Sequence, residues 1–331
     1  MAPLYVSDQG ATIRKRDSQI IVSKDGATLQ EVPINKLDQL VMMGRGVQIS
    51  TALLIALLEA GIPVTLTNQR GSRHYATLAP GVSRFGALRT QQMYLVHDPA
   101  RAVDLARALI MAKLAGQRAL LVRAGWPASL AAIAQIDAAL AAVTTAVNID
   151  TVRGYEGAGA AAYFGAWRVS LDPAWAFAGR AFYPPPDPVN AMLSFGYTLA
   201  LNEVLVAVQM TGLDPYLGTF HVIEAGRPSL ALDLLEEFRP ILVDRLVLDL
   251  LASGSMSKVH FERPAQRPDA VYLSAEGRTI LVDRYEGLLS SLVDVPGIGR
   301  TPWRQAIQIQ AQAVARVFRG DAERYGGLGV Q

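Results

Sequence analysis

The chain reads Gly218-Thr-Phe-His221 and, after a short gap, Gly226-Arg-Pro-Ser-Leu-Ala-Leu-Asp-Leu-Leu-Glu-Glu-Phe-Arg-Pro240. Ser229 is a residue type that caps helices, and no helix breaker occurs between Leu230 and Phe238. Because apolar residues fill much of this segment, it predicts a short helix anchored in a hydrophobic core.

The same segment places one imidazole shortly before a cluster of acids. At 3.6 residues per turn, Asp233, Glu236 and Glu237 fall on one side of the predicted helix, opposite its apolar residues. A rigid helix that carries several carboxylates near a histidine is typical of a divalent-metal site with oxygen and nitrogen ligands. His221 and the three acids are therefore the first candidate ligands.

Two interpretations of this cluster stay open from the residues alone. In one, the carboxylates and the single imidazole bind Mn²⁺ or Mg²⁺, while Zn²⁺ would favour more nitrogen or sulfur ligands. In the other, His221 is a structural histidine, and the acids are solvated or paired with Arg239.

Composition limits the class of protein. The chain has 331 residues, of which 51% are hydrophobic and 18% are charged, so it can bury a large core. It contains no cysteine, which excludes disulfides and thiolate-bound zinc or iron–sulfur centres. The formal net charge of +2 predicts that any nucleic-acid binding depends on local basic patches.

Nothing in the sequence favours a membrane location. The N-terminal residues lack the basic start and apolar run of a signal peptide. The longest apolar runs are interrupted by charged or amide residues, and we expect no segment to reach the roughly 20 apolar residues that span a bilayer. A cytoplasmic protein without a membrane partner is expected.

The spacing of turn residues predicts an α+β fold with two domains. Over residues 1–80, short apolar or alternating runs separated by glycine-containing turns predict a small β-rich domain, with one helix capped by Ser50. Residues 81–94 predict a linker.

Beyond the linker, over residues 95–331, helical periodicity predicts a larger all-α domain. Asp98-Pro99 and Asp187-Pro188 each predict a helix start. The sequence around Ala275-Glu-Gly277 predicts a small hairpin, and the tail from Gly320 is expected to be mobile. The predicted helices cover residues 99–115, 119–125, 130–147, 150–169, 188–211, 230–238, 241–251, 286–293 and 303–319.

A second unusual stretch is Arg153-Gly-Tyr-Glu156-Gly-Ala-Gly159. Each glycine in a helix costs roughly 1 kcal/mol relative to alanine, so a packing or ligand reason is expected. By itself the stretch favours a tight helix–helix contact with Glu156 at its edge. Glu156 becomes a candidate ligand only if it completes the site of His221 and the acidic helix.

Together these segments resemble the CRISPR-associated adaptation integrase family, CRISPR-associated protein one, whose members insert new spacers into CRISPR arrays. The resemblance runs over most of the chain. It is carried by Gly154-Tyr-Glu156-Gly, Asn190-Ala-Met-Leu-Ser-Phe-Gly-Tyr197, Gly218-Thr-Phe-His221 and the block from Gly226 to Pro240.

The resemblance implies that the β-rich domain mediates dimerisation and that the helical domain is catalytic. It implies Mn²⁺ or Mg²⁺ bound by Glu156, His221 and Glu236, with Asp233 alongside as a further catalytic residue. Which of Asp233, Glu236 and Glu237 contacts the metal stays open, although Glu236 fits the family spacing best.

The implied reaction is strand transfer, in which the 3′-hydroxyl of a prespacer attacks a phosphodiester at the edge of a repeat. The implied partners are double-stranded prespacer and leader–repeat DNA, a second copy of the chain in a homodimer, and CRISPR-associated protein two. Four basic residues are candidate DNA contacts: Arg153, Arg168, Arg227 and Lys258.

Two alternative functions stay open. The same ligands could serve a metal-dependent nuclease that hydrolyses branched DNA, with water in place of the 3′-hydroxyl. Alternatively, the chain could be a non-catalytic DNA-binding scaffold whose acids are structural. Strand transfer yields longer joined products, hydrolysis yields only fragments, and a scaffold yields neither.

Overall fold

The computed structural model describes residues 2–69, 74–79, 85–181 and 184–329. The chain divides into two compact units, Met1–Gly86 and Ala87–Gln331. The first is rich in strands and the second is mainly helical, so the predicted α+β class is confirmed.

The N-terminal unit contains two four-stranded sheets, with strand orders β1-β5-β7-β8 and β4-β3-β2-β6. In the first sheet β1, β5 and β7 are parallel, whereas β8 is antiparallel to β7. Ser50 caps helix α1 (Thr51–Glu59) as predicted, and its side chain accepts the N–H of Leu53. The strands are β1 Ala2–Val6, β2 Thr12–Arg16, β3 Gln19–Lys24, β4 Ala27–Pro33, β5 Leu37–Met43, β6 Gln48–Ile49, β7 Val64–Thr67 and β8 His74–Leu78.

The core of this unit follows from alternating burial along the strands. Ile20 and Val22 of β3 are buried together with Ile13 of β2, while their neighbours along each strand are more exposed. Asp25 and Gly26 join β3 to β4 with φ angles of 49° and 81°, the geometry that a two-residue type I′ hairpin requires.

The second unit is built from helices with a few short strands. Helix α7 continues through a π-helical turn (Arg239–Asp244) into α8, because Pro240 lacks the N–H of a regular helical ladder. The helices are α2 Gly86–His97, α3 Pro99–Ala124, α4 Ser129–Val143, α5 Ile149–Ser170, α6 Pro188–Thr211, α7 Ser229–Phe238, α8 Arg245–Ala252, α9 Ala275–Ser290 and α10 Trp303–Arg319; the strands are β9 Phe261–Glu262, β10 Tyr272–Leu273, β11 Leu292–Val295 and β12 Gly299–Pro302.

Helix α6 is the central core helix of this unit. Its predicted start is confirmed, since the side chain of Asp187 accepts the N–H of Asn190 and Pro188 occupies the first turn. Among the described helices it alone is long and apolar enough to cross a membrane, yet 83% of that apolar window is buried inside the protein. The expectation that no segment reaches this length was therefore wrong, and burial explains the apolarity.

The predicted linker is wrong in its second half. Helix α2 begins at Gly86 and buries Gln92 among apolar neighbours, while residues 81–84 lie outside the described residues. The Gln92 amide donates to the carbonyls of Asp214 (2.8 Å) and Leu217 (2.9 Å). This part of the chain thus fastens the loop that leads to His221.

Helix α3 is one continuous helix instead of the two predicted. Gly116, at the expected break, is buried, and a Cβ there would lie 2.7 Å from Cγ of Pro240. The missing side chain lets α3 approach the π-helical turn closely, so this glycine serves packing and does not end the helix.

The predicted hairpin around Ala275-Glu-Gly277 is a helix start instead. The Ser274 side chain accepts the N–H of Gly277 at 3.1 Å and opens α9, which runs to Ser290. A Cβ on Gly277 would lie 2.4 Å from the carbonyl oxygen of His260, so this glycine permits a close backbone contact. The helix predicted over 286–293 is likewise only the end of α9, and β11 follows it.

The C-terminal tail is packed against the helices, in contrast to the mobile tail that its glycines suggested. Tyr325 and Leu328 are buried, at 4% and 1% exposure. The hydroxyl of Tyr325 and the backbone N–H of Leu328 both donate to the carboxylate of Glu237. The glycine content of the tail predicted mobility, but it does not report the two hydrogen bonds that hold the tail against Glu237.

Candidate metal centre and the surrounding cavity

His221 is held in place by Asp233, which is fully buried on α7. The backbone N–H groups of Thr219 and Phe220 donate to Oδ2 of Asp233, at 2.6 and 2.9 Å. The backbone N–H and Nδ1 of His221 both lie 2.8 Å from Oδ1. Since Nδ1 faces a carboxylate, it carries the proton, and the lone pair of Nε2 is free to bind a metal.

This arrangement depends on a close approach between the loop and the first turn of α7. A Cβ on Gly218 would lie 2.6 Å from the backbone carbon of Ser229 and 2.7 Å from Oδ2 of Asp233. Both neighbours are fixed, so only glycine fits. Ser229 itself is the first residue of α7 and donates to the carbonyl of Val222 at 2.8 Å, whereas a capping role was predicted.

The three acids of α7 do not share one environment. Glu236 and Asp233 face His221, whereas Glu237 points the other way and binds the C-terminal tail. Burial raises the pKa of Glu237 to about 7, although the hydroxyl of Tyr325 and the N–H of Leu328 oppose the rise. The prediction that all three acids lie on one side of the helix, opposite its apolar residues, is wrong, because Glu237 faces the C-terminal tail and α7 is buried on both sides.

Glu156 of α5 meets Glu236 through a lysine from a third helix. Nζ of Lys113 on α3 lies 2.5 Å from Oε1 of Glu156 and 2.5 Å from Oε2 of Glu236. Nε2 of His221 lies 3.6 Å from Oε1 of Glu236. The structure therefore brings together the three candidate ligands, with an ammonium group between the two carboxylates.

The positive charges keep Glu236 ionised. Burial alone would raise the pKa of Glu236, but the positive charges of Arg239 and Lys113, together with the His221 imidazole when it is protonated, lower it to about 2. Arg239 lies 3.3 Å from Oε1 of Glu236, so it pairs with this acid and not with Asp233 or Glu237. Burial alone would lower the pKa of Lys113. The negative charges of Glu236 and Glu156 outweigh burial, so the pKa of Lys113 is raised. Glu236 is thus in the deprotonated form that a metal ligand needs.

The donor set fits a hard divalent cation. Two carboxylates and one imidazole nitrogen are ligands that suit Mn²⁺ or Mg²⁺. Oε2 of Glu236 is buried and, among the described residues, forms an ion pair with the ammonium group of Lys113 but no hydrogen bond. Within the described part of the chain, no group of three His, Asp or Glu side chains lies in a geometry that could coordinate a metal ion directly. In this centre the position between the carboxylates is taken by Lys113.

The candidate ligands line a cavity of about 580 Å³ with a basic wall. Arg168, Arg180, Arg227 and Arg239 all border it, together with the aromatic rings of Tyr197 and Phe220. The guanidinium of Arg239 lies 4.6 Å from the centre of the Tyr197 ring, a cation–π contact that fixes it beside Glu236. Such a surface suits a polyanion approaching the acidic centre.

The four candidate DNA contacts lie in different places. Arg153 donates to the carbonyl of Phe220 at 2.6 Å and pairs with Asp150, so it supports the His221 loop. Arg168 is exposed at the cavity rim and Arg227 lies on its wall. Lys258 is exposed but is not among the residues that border the cavity.

Beneath the cavity, Asp244 accepts hydrogen bonds from two buried tyrosines. The hydroxyl of Tyr163 lies 3.0 Å from Oδ2, and that of Tyr197 lies 2.5 Å from Oδ1. Burial raises the pKa of Asp244 to about 6, with the two hydroxyl groups, Arg239 and Lys113 opposing the rise. Between pH 4 and 6 the folded protein thus holds a proton that the unfolded chain has lost.

We expect Asp244→Asn to change how stability depends on pH. The raised pKa means that the contribution of Asp244 to unfolding free energy falls as pH rises through this window. Asparagine does not ionise, so the variant should lack this fall in unfolding free energy. The unfolding free energy of the variant minus that of the wild type should therefore increase by about 3 kcal/mol from pH 4 to pH 7, since one pKa unit corresponds to about 1.4 kcal/mol. Urea denaturation at several pH values measures the difference, and parallel pH profiles for both proteins would contradict it.

Sequence reasoning missed Lys113, Tyr197 and Asp244. Lys113 had a detectable signal, because it follows Ile110 by three residues on the apolar face of α3, where a charge requires a partner. Tyr197 lies within a segment that carried the family resemblance, but no role was assigned to it. Asp244 had no signal, since its partners come from α5 and α6.

Comparison with known proteins shows the family of this chain. The family model described as CRISPR associated protein Cas1 matches residues 4–287. The chain belongs to the Cas1 family. A curated relative from Thermus thermophilus, named CRISPR-associated endonuclease Cas1 1, is 35% identical over 317 residues and covers 96% of each chain. The resemblance stated from the sequence is thereby confirmed.

Solved structures share the Cas1 fold. A casposase bound to an integration product has a TM-score of 0.84 at 21% identity and covers 98% of this chain and 93% of its own. A Cas6-RT-Cas1–Cas2 complex has a TM-score of 0.81 at 21% identity and covers 99% of this chain and 36% of its own. At these identities the likeness concerns the fold alone.

Proposed function

We propose that this Cas1 chain is a metal-dependent DNA integrase that joins prespacer DNA to the edge of a CRISPR repeat. The observation that carries the proposal is the convergence of Glu156, His221 and Glu236, from α5, a loop and α7, at one basic cavity. A bound Mn²⁺ or Mg²⁺ would polarise a phosphoryl oxygen and stabilise the charge that builds up in the transition state.

The residues of the site have separate proposed roles in holding the metal and positioning the DNA. Glu156, Glu236 and Nε2 of His221 would hold the metal, and Asp233 fixes the imidazole through Nδ1. Arg168 and Arg227 on the cavity wall would bind phosphates and position the attacking 3′-hydroxyl.

The proposed partners follow from the reaction and from the relatives. Insertion of both prespacer ends needs two active sites at a fixed distance, which favours a symmetric homodimer formed through the N-terminal unit. One structural relative is bound to an integration product and another lies in a complex with Cas2. We therefore propose double-stranded DNA and Cas2 as partners of this chain, in the cytoplasm.

The test is a strand-transfer assay with the purified protein and the Cas2 protein of its locus. A labelled prespacer duplex is incubated with Mn²⁺ and a supercoiled plasmid that carries the leader and repeat. Label that migrates with the plasmid supports integration. Label found only in shortened oligonucleotides supports a hydrolytic nuclease instead, and binding without any product supports a scaffold.

DNA affinity tests the role of the basic wall. Arg168→Ala should weaken binding about threefold to tenfold for any sequence and lower the slope of log affinity against log salt by about one, because one phosphate contact is lost. Arg118→Ala, which removes an exposed charge paired with Asp137 outside the cavity, is the control. Equal salt slopes for Arg168→Ala and the wild type would remove Arg168 from the DNA interface.

A further inference from the structure

The least expected feature of the centre is a buried lysine between its two carboxylates. Lys113 is only 8% exposed, and its Nζ contacts Glu156 and Glu236 at the same distance of 2.5 Å. Two carboxylates this close to each other repel unless a cation separates them. The ammonium group therefore supplies, from within the chain, part of the charge that a divalent ion would supply.

A second observation lies one helical turn away on α3. Gln117 is 1% exposed and borders the same cavity, yet its Oε1 has no hydrogen-bond partner among the described residues. A buried acceptor without a partner costs stability, so a partner in another state of the protein is expected. Residues four apart on a helix are neighbours, which places this oxygen within reach of a long lysine side chain.

The chemistry of the side chain suits such a movement. A lysine ammonium is a compact charge on a flexible four-carbon stem and has three N–H donors. Lys113 donates one hydrogen bond to Glu156 and contacts Glu236 as an ion pair without a hydrogen bond. It can therefore leave the carboxylates without losing its charge. An arginine fork in the same place would be more rigid and harder to displace.

We infer that Lys113 is a built-in counter-ion that holds the carboxylates together in the metal-free protein and moves to Oε1 of Gln117 when a divalent cation binds. Lys113 is thus a positioning residue that competes with the metal and sets the concentration at which the centre loads. This inference rests on the proposed metal-dependent function.

The experiment measures Mn²⁺ affinity of the full chain without DNA, from the electron paramagnetic resonance signal of free Mn²⁺. Lys113→Met removes the competitor and should bind Mn²⁺ at least about tenfold more tightly than the wild type. Gln117→Leu removes the acceptor for the displaced ammonium and should bind about fivefold more weakly. Arg118→Met deletes one positive charge from the exposed face of the same helix and should match the wild type.

Thermal unfolding gives a second readout. Without metal, Lys113→Met removes the cation between Glu156 and Glu236 and leaves Arg239 beside Glu236, so the variant should unfold at a lower temperature, with a larger increase on adding Mn²⁺ than the wild type shows. If this variant does not fold without metal, the weaker Mn²⁺ binding of Gln117→Leu still carries the test.

The outcomes separate this inference from the proposed function. Mn²⁺ binding that is equal or weaker in Lys113→Met, while the wild type binds, would overturn the counter-ion role and leave the metal-dependent function intact. Wild-type affinity in Gln117→Leu would overturn the movement to Gln117. Absence of Mn²⁺ binding in every variant would overturn both the inference and the metal-dependent function.

Discussion

Glu236→Gln should lower strand transfer by at least about a thousandfold, whereas Glu237→Gln, at the next position, should retain activity within a few-fold. The two acids are neighbours on α7, but only Glu236 faces His221 and Lys113. Glu237 instead accepts hydrogen bonds from the C-terminal tail. An amide at position 236 cannot supply the charge that a hard cation requires.

The paired variants also separate loss of chemistry from loss of fold. Glu237→Gln disturbs one hydrogen bond to the tail, at a cost of about 1 kcal/mol. Glu236→Gln breaks a buried ion pair, which can cost about 3 to 5 kcal/mol. Strand transfer is therefore measured at a temperature where circular dichroism shows each variant folded.

Glu156→Gln tests the same prediction with a smaller expected loss of unfolding free energy. Glu156 has 19% of its side chain exposed and contacts Lys113, which keeps Glu236 as a partner. We expect the same loss of strand transfer with little change in unfolding temperature. A folded and fully active Glu156→Gln or Glu236→Gln protein would show that these residues are not the metal ligands.

Local signals in the sequence were sufficient to predict several of the helices. Asp187-Pro188 predicted the start of α6 because an acidic cap followed by proline satisfies the helix start without help from the rest of the chain. The acidic helix was likewise predicted over 230–238, and it runs over Ser229–Phe238. Errors arose where glycine had a tertiary role, as at Gly116 and Gly277, which permit close contacts instead of ending an element.

The candidate ligands of the site could be predicted from the sequence, but their surroundings could not. Glu156, His221 and Glu236 came from the family resemblance, and the structure brings them together at one cavity. The orientation of Glu237 could not be predicted, because it depends on a tail almost 90 residues further along the chain. The position of Lys113 depends on how α3 packs beside α5 and α7, which no local pattern encodes.

Asp233→Asn should weaken both folding and strand transfer, although we do not place Asp233 among the metal ligands. Its two oxygens are buried and accept hydrogen bonds from three backbone N–H groups and from Nδ1 of His221. An amide presents an N–H₂ group to at least two of these donors, so we expect a loss of about 3 kcal/mol or more in unfolding free energy. Asp249→Asn, at a half-exposed acid on α8, is the matched control and should change stability little.

The effect of Asp233→Asn on activity should come through the imidazole. Without the carboxylate, the proton is no longer held on Nδ1, and Nε2 loses part of its availability as a ligand. We expect Mn²⁺ affinity and strand transfer to fall by about 10-fold to 100-fold, because residues that accept a hydrogen bond from a metal-binding histidine have effects of this size. Nitrogen chemical shifts of His221 in the metal-free protein report the tautomer directly. Shifts identical to those of the wild type, together with unchanged Mn²⁺ affinity, would reduce Asp233 to a purely structural residue.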